Sequence, residues 1–276
     1  MSSPAASAPT IGVFDSGFGG LTVLRALIRR FPHARFAFIG DTARLPYGSK
    51  SRRTIARYAV ESAHFLVREQ GAEFLVIACN TASALALDAI EAAVPVPVLG
   101  VIEPGAAAAR AATRSGDVLV IATDATVNSH AYAAACQAKG LRVLEKACPL
   151  LVPLVEEGWT NHPVAAQVIR IYLDELLADA AAHALNPDTL VLGCTHYPLL
   201  RPLIEAAVPS GMRVIDSAES AAEAAVALFG QAAQEHSPAG QTVRCFATDS
   251  VEKFQRLGSR FLECPVGEVG LVDLGG

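Results

Sequence analysis

The sequence predicts an α/β protein with mainly parallel sheets covered by helices and divided into two related lobes. Three observations carry that expectation. Short apolar runs rich in β-formers alternate with longer Ala-rich stretches, the order of βαβ units. The apolar runs are continuous, as strands buried on both faces must be. One plan, apolar strand then Cys then polar cluster then helix, occurs twice, in VIACNTASALAL (76–87) and VLGCTHYPLL (191–200). The two cysteines stand 115 positions apart, and ligands of parallel sheets bind at the carboxyl ends of strands, so two lobes facing one cleft are expected.

The elements follow in order. Residues 1–9 form a Ser/Ala/Pro tail expected to be mobile. The first strand covers 11–14 and, after a Gly-rich turn, the first helix covers 21–30. A strand over 36–39 precedes a long helix over 52–69, and a strand over 74–78 leads into a helix over 83–92. Strands over 96–101 and 118–121 flank a helix over 104–113, which is mostly Ala after its first Pro. A helix over 128–138, a strand over 141–144 and a long helix over 164–183 follow. The last readable elements are strands over 190–192 and 212–215 and a helix over 218–231. The segment from Gln241 onward carries weaker signals.

At 276 residues the chain is long enough for one large or two modest domains with a core that needs no staples. Its 52% hydrophobic and 18% charged residues exclude a disordered chain. A net charge of −5 without a basic block argues against nucleic acid as the main partner. No apolar run reaches the roughly 18 residues of a membrane span, and MSSPAASAPT lacks the features of a signal peptide. A cytoplasmic protein with free thiols is therefore expected. None of the six cysteines forms a CxxC pair, which argues against a metal site.

Four strand-end segments carry the chemistry. Asp15-Ser16-Gly17-Phe18-Gly19-Gly20 offers backbone N–H groups to an anion, or the Asp15 carboxylate to an ammonium. A plain capped turn is the alternative, and the spacing is not that of a dinucleotide fingerprint. Asp41 to Gly48, with Pro46-Tyr47-Gly48, reads as a rigid turn with backbone donors. Cys79-Asn80-Thr81 sets a thiol at a strand end and a helix start, where a modestly lowered pKa is expected to make it a useful base. The alternative is a buried cysteine acting as a small hydrophobe. Cys194-Thr195-His196 repeats the arrangement, with a satisfied core histidine as the competing reading of His196. Two such thiols facing one carbon could each remove or return a proton, as a racemase without cofactor requires. Only four lysines are present and none sits in a recognisable pyridoxal site. A one-thiol decarboxylase or hydrolase needs no second Cys, and an amino-acid carrier would bind without exchanging the α-proton.

The segments DSGFGGLTV, DTARLPYG, ACNTAS, VIEPGA, LVEEG, LGCTHYPLL and IDSAES occur in the order seen in the cofactor-independent aspartate/glutamate racemase family, which the chain resembles over nearly its whole length. The DSG and PYG elements point to the glutamate branch of that family. The resemblance implies two pseudosymmetric doubly wound lobes, 10–104 plus 217–276 and 105–216, with the active site between them. It implies no cofactor and no metal, a small-molecule substrate (L- or D-glutamate), a homodimer, and a role in peptidoglycan biosynthesis. Cys79 and Cys194 would be the two acid/base thiols, Cys79 serving D-glutamate and Cys194 L-glutamate. Asp15, His196 and Glu156 would support them. Asp15, Ser16, Tyr47, Gly48, Asn80, Thr81, Thr126, Thr195 and His196 would hold the ammonium and the two carboxylates.

Overall fold

The computed structural model describes residues 9–234 and 242–275. Apart from Pro9, the expected mobile tail lies outside the described residues, as does Gln241. Among the described residues ten strands fall into two sheets, and all their pairings are parallel. The first sheet holds β1 (Thr10–Asp15), β2 (Arg35–Gly40), β3 (Phe74–Ile77), β4 (Val98–Gly100), β9 (Thr242–Ala247) and β10 (Val269–Leu271), in the order β10-β9-β2-β1-β3-β4. The second holds β5 (Asp117–Ala122), β6 (Arg142–Ala147), β7 (Thr189–Gly193) and β8 (Arg213–Asp216), in the order β6-β5-β7-β8. The chain thus leaves the first sheet after β4 and returns to it with β9.

Burial follows position in the sheet. Every residue of the interior strands β1, β5 and β7 is buried, whereas the edge strand β6 is exposed or half-buried throughout. The unbroken apolar runs in the interior strands reflect helices on both faces. The helices are α1 (Leu21–Arg30), α2 (Arg52–His64), α3 (Asn80–Leu85), α4 (Leu87–Ala93), α5 (Ile102–Ala112), α6 (Asp124–Ser129) and α7 (Ala131–Gln137). After them come α8 (Leu151–Glu156), α9 (Pro163–Ala182), α10 (Arg201–Ala207), α11 (Ser217–Gln234) and α12 (Val251–Leu262).

The structure breaks three of the expected helices. The 52–69 stretch is α2 followed by a wider π-helical turn over Phe65–Glu69. The 83–92 stretch starts earlier, at Asn80, and divides at Ala86 into α3 and α4. The 128–138 stretch divides at His130, whose φ of 54° puts it in the left-handed region where a side chain is disfavoured. The elements β9, β10, α8, α10 and α12 are additional to those read from the sequence.

Candidate active site

Both cysteines end interior strands, one in each sheet. Cys79 follows β3 and caps α3, its sulfur accepting from the Ala82 N–H at 3.4 Å and its thiol donating to Ser16 Oγ at 3.4 Å. Cys194 follows β7 and lies 3.9 Å from His196 Nδ1. The two thiols are each 5% exposed, enough to meet solvent or a ligand but not to stand in it. Both line one cavity of about 420 Å³ that also takes in Ser16, Tyr47, Gly48, Asn80, Thr81, Glu156, Thr195 and His196. Its walls therefore come from the strand ends of both sheets, the position that parallel sheets give their ligands.

Glycine lets the walls approach one another. A Cβ on Gly19 would collide with Thr195 Oγ1 and come within 2.6 Å of His196 Nδ1, so only glycine lets the first Gly-rich turn lie against the Cys194 segment. Thr22 Oγ1 on α1 then donates to the Thr195 carbonyl at 3.3 Å. On the opposite wall Thr81 Oγ1 meets Thr123 Oγ1 at 3.0 Å and Thr126 Oγ1 at 3.2 Å. Asn80 is oriented from both sides, accepting from Tyr132 Oη at 2.7 Å and donating to Ser217 Oγ at 3.3 Å.

Two expected site residues stand behind the wall. Thr126 is fully buried beneath Thr81 and Thr123, and Thr123 faces the cavity in its stead. Asp15 is 1% exposed, accepts from the Gly17 N–H at 3.0 Å, and leaves its Oδ1 without a hydrogen bond. The Tyr47 hydroxyl donates to Asp41 Oδ2 at 2.5 Å, so its proton is committed to a buried carboxylate. Asp41 in turn pairs with Arg44 and accepts from Thr248 Oγ1 at 2.9 Å. Sequence reasoning passed over Thr123, Asp124, Pro149, Val152, Pro153 and Glu157 on the cavity wall. Thr123 and Asp124 follow β5, and position at a strand end was the signal that could have found them.

The two thiols have different electrostatic surroundings. Burial, joined by the Asp15 charge, pushes the Cys79 thiol up to about 12, against the Ser16 hydroxyl and the Ala82 N–H. The modest lowering expected from its place at a helix start does not occur, because desolvation of the thiolate outweighs the donors of a short helix. Beside Cys194 stands a basic group. Burial pulls the His196 imidazole down, but contacts with Cys194 and Glu156 and the Asp15 charge outweigh it, and the pKa rises to about 10. Glu156 Oε1 lies 3.4 Å from His196 Nε2, close enough for an ion pair but not aligned as a hydrogen bond. Burial pushes the Glu156 carboxyl up, yet His196 and Lys253 together hold it below the usual range.

Comparison with known proteins places this geometry in a family. Residues 11–225 match the family model described as Asp/Glu/Hydantoin racemase. A glutamate racemase of Koribacter versatilis is 54% identical, with 97% of this chain and 98% of that one covered. A glutamate racemase of Geobacter metallireducens is 46% identical with 96% of each covered. Among solved structures, a glutamate racemase isoform of Bacillus anthracis superposes with a TM-score of 0.88 at 35% identity, covering 98% of this chain and 99% of that one. A Francisella tularensis glutamate racemase in complex with D-glutamate gives 0.87 at 34% identity with the same coverage. With most of its length matched by the family model and its whole fold shared with these enzymes, the chain belongs to the Asp/Glu/Hydantoin racemase family.

Proposed function

We infer that this chain is a glutamate racemase that inverts Cα by 1,1-proton transfer between two thiols. The observation that carries the reading is the pair of strand-end cysteines, Cys79 and Cys194, on the wall of a single cavity. One thiolate takes the Cα proton while the thiol on the opposite face delivers its own, so each turnover leaves one proton gained and one lost at the carbon. The state of the free enzyme suits this: Cys79 keeps its proton at neutral pH, and the protonated His196 stands ready to compensate charge at Cys194. Cys194 then takes the proton of L-glutamate and Cys79 returns one from the other face. In the reverse direction the substrate ammonium offsets the cost of a Cys79 thiolate, because a cation nearby favours the charged form.

The barrier is the weak acidity of Cα–H. Positioned proton transfer supplies about 10²- to 10⁴-fold. The remainder is assigned to fixed donors around the carboxylates, drawn from Ser16, Gly48, Asn80, Thr81, Thr123 and Thr195, which work best in a water-poor cleft. Asp15 and Thr126 act from behind the wall, and Tyr47 shapes it while held by Asp41. No cofactor enters the scheme.

Further parts of the reading rest on the family. We take the two units as 10–104 with 217–276 and 105–216, in line with the chain's passage between sheets. A homodimer, a cytoplasmic setting and supply of D-glutamate for peptidoglycan complete it, with neither membrane nor nucleic acid as partner. Among the described residues no helix is long and apolar enough to cross a membrane. The test is chiral chromatography of purified protein incubated with L-glutamate or L-aspartate without added cofactor. Formation of D-glutamate at a rate far above that of D-aspartate is expected; preference for aspartate, or no inversion, would reject the reading.

A further inference from the structure

Lys253 belongs to none of the motifs read from the sequence. It lies on α12, in the segment that returns to the first sheet, and its Nζ stands 3.6 Å from Glu156 Oε2 on α8. The other oxygen of that carboxylate faces His196 Nε2, whose ring reaches Cys194 with its Nδ1. Four side chains thus run in series from the outer face of α12 to a thiol in the cavity wall. The same helix makes two more contacts with this half of the site. Phe261 packs edge-on against the His196 ring at 5.1 Å between centroids. Gly158, just beyond α8, has a φ of 81°, and a Cβ there would come within 2.5 Å of an Arg260 guanidinium nitrogen.

We propose that Lys253 is a positioning residue for the Cys194 half of the racemase site, holding Glu156 as a carboxylate turned toward His196 and so setting the charge that His196 presents to the thiol. The inference rests on the racemase reading given above. As a stability device the pair is weak, since the Lys253 and Glu156 side chains are 44% and 21% exposed and water screens them. Its consequence is directional: the Lys253 charge acts on Glu156, and Glu156 acts on a His196 side chain that is only 12% exposed. His196 is faced by Cys194, Asp15 and Glu156, and Glu156 by His196 and Lys253, with Glu157 next along the chain on the cavity wall. Lys253 also lies 5.7 Å from the centroid of Phe18, the ring that packs against His196 from the first sheet's side.

The test is the pH profile of kcat/KM for Lys253→Met and Lys253→Arg beside the unaltered protein. Removing the Lys253 charge raises the proton affinity of Glu156 and frees its carboxylate from the orientation that supports the His196 imidazolium. In Lys253→Met the acid limb of the profile is therefore expected to move to higher pH and the alkaline limb to lower pH, each by about half a unit, while Lys253→Arg keeps the original limbs. A lower plateau with unmoved limbs would make α12 a mere strut, and an unchanged profile would remove Lys253 from the site; either overturns the proposal. NMR titration of the His196 imidazole in the same proteins reads the link without turnover, and an unmoved titration in Lys253→Met is equally fatal. An unaltered protein that fails to racemise glutamate would instead refute the site reading, leaving the imidazole titration to judge Lys253.

Discussion

His196 sets its Nδ1 3.9 Å from the sulfur of Cys194, while the sulfur of Cys79 meets the neutral hydroxyl of Ser16 at 3.4 Å. The two sheets thus present the same element at the end of an interior strand but surround it differently. One thiol has a basic neighbour that can carry charge, and the other has only hydroxyl and amide donors. In the proposed scheme a symmetric reaction is served by an asymmetric pair. Because the two enantiomers are equally stable, kcat/KM must be the same in both directions whatever the asymmetry, so its effects appear in pH dependence and proton exchange.

On the proposed two-thiol scheme, replacing either cysteine removes one of two proton carriers. Cys79→Ala and Cys194→Ala are each expected to lower kcat/KM for racemisation by roughly 10²- to 10⁴-fold, with unchanged circular dichroism because each change removes one small buried atom. Steady-state polarimetry on the folded variants checks this, and full activity in either would end the two-base assignment.

The imidazolium at His196 gives a pH signature with a definite sign. Its pKa is raised to about 10 in the folded protein, so its contribution is fully present below the unfolded value near 6.5 and is lost as pH rises through about 10. An alkaline loss of activity is expected there, accompanied by a loss of stability. His196→Asn is expected to abolish the His196 part of both, which pH–rate profiles and melting curves measured between pH 6 and about 10.5 would register.

Close approach of the two walls depends on Gly19. Gly19→Ala would force its new methyl against Thr195 and His196. A displacement of about 1 Å at a reacting group costs on the order of a hundredfold in rate, so kcat is expected to fall by about that factor. Gly116→Ala is the comparison, because a Cβ there meets nothing within 4 Å, although its φ of 79° strains any side chain. A drop in melting temperature without a comparable drop in kcat is expected for Gly116→Ala, and the reverse ranking would count against the packing argument.

Away from the cavity, Asp188 ties down the turn that enters β5. Its carboxylate accepts from Thr113 Oγ1 at 2.6 Å, the Arg114 N–H at 2.8 Å and the Ser115 N–H at 3.1 Å. Although burial raises its pKa, these donors hold it well below the usual carboxylate range. A depressed pKa stabilises above the unfolded value near 3.9 and is lost as pH falls below it. Asp188→Ala is expected to cost about 1–3 kcal/mol at neutral pH and less in acid, as urea titrations at pH 7 and pH 3 would reveal.

Much of this organisation is written locally in the chain. The interior strands are legible because burial on both faces demands unbroken apolar runs, and Cys79 and Cys194 are legible because each directly ends such a run. The return segment was harder to read: β9, with three exposed residues at its start, lacks the continuous apolar signature. The break at His130 is only weakly marked, since histidine enters the left-handed region more readily than most residues but announces it less clearly than glycine or asparagine. Lys253 reaches Glu156 only through tertiary packing, 97 positions along the chain. The direction of the Cys79 shift escaped sequence reasoning for a similar reason. A helix start can be read from a motif, but the depth of burial that overrides it cannot.

The most direct test of the two-thiol account is to run the reaction in D₂O from L-glutamate and follow both enantiomers during the first few per cent of conversion. Two bases on opposite faces, one of them carrying a solvent-exchanged proton, require the D-glutamate formed to carry deuterium at Cα from the outset while the recovered L-glutamate keeps its protium. Protium retained in the D-glutamate, or deuterium entering the recovered L-glutamate as fast as product forms, would mean that a single base serves both faces and would contradict the account.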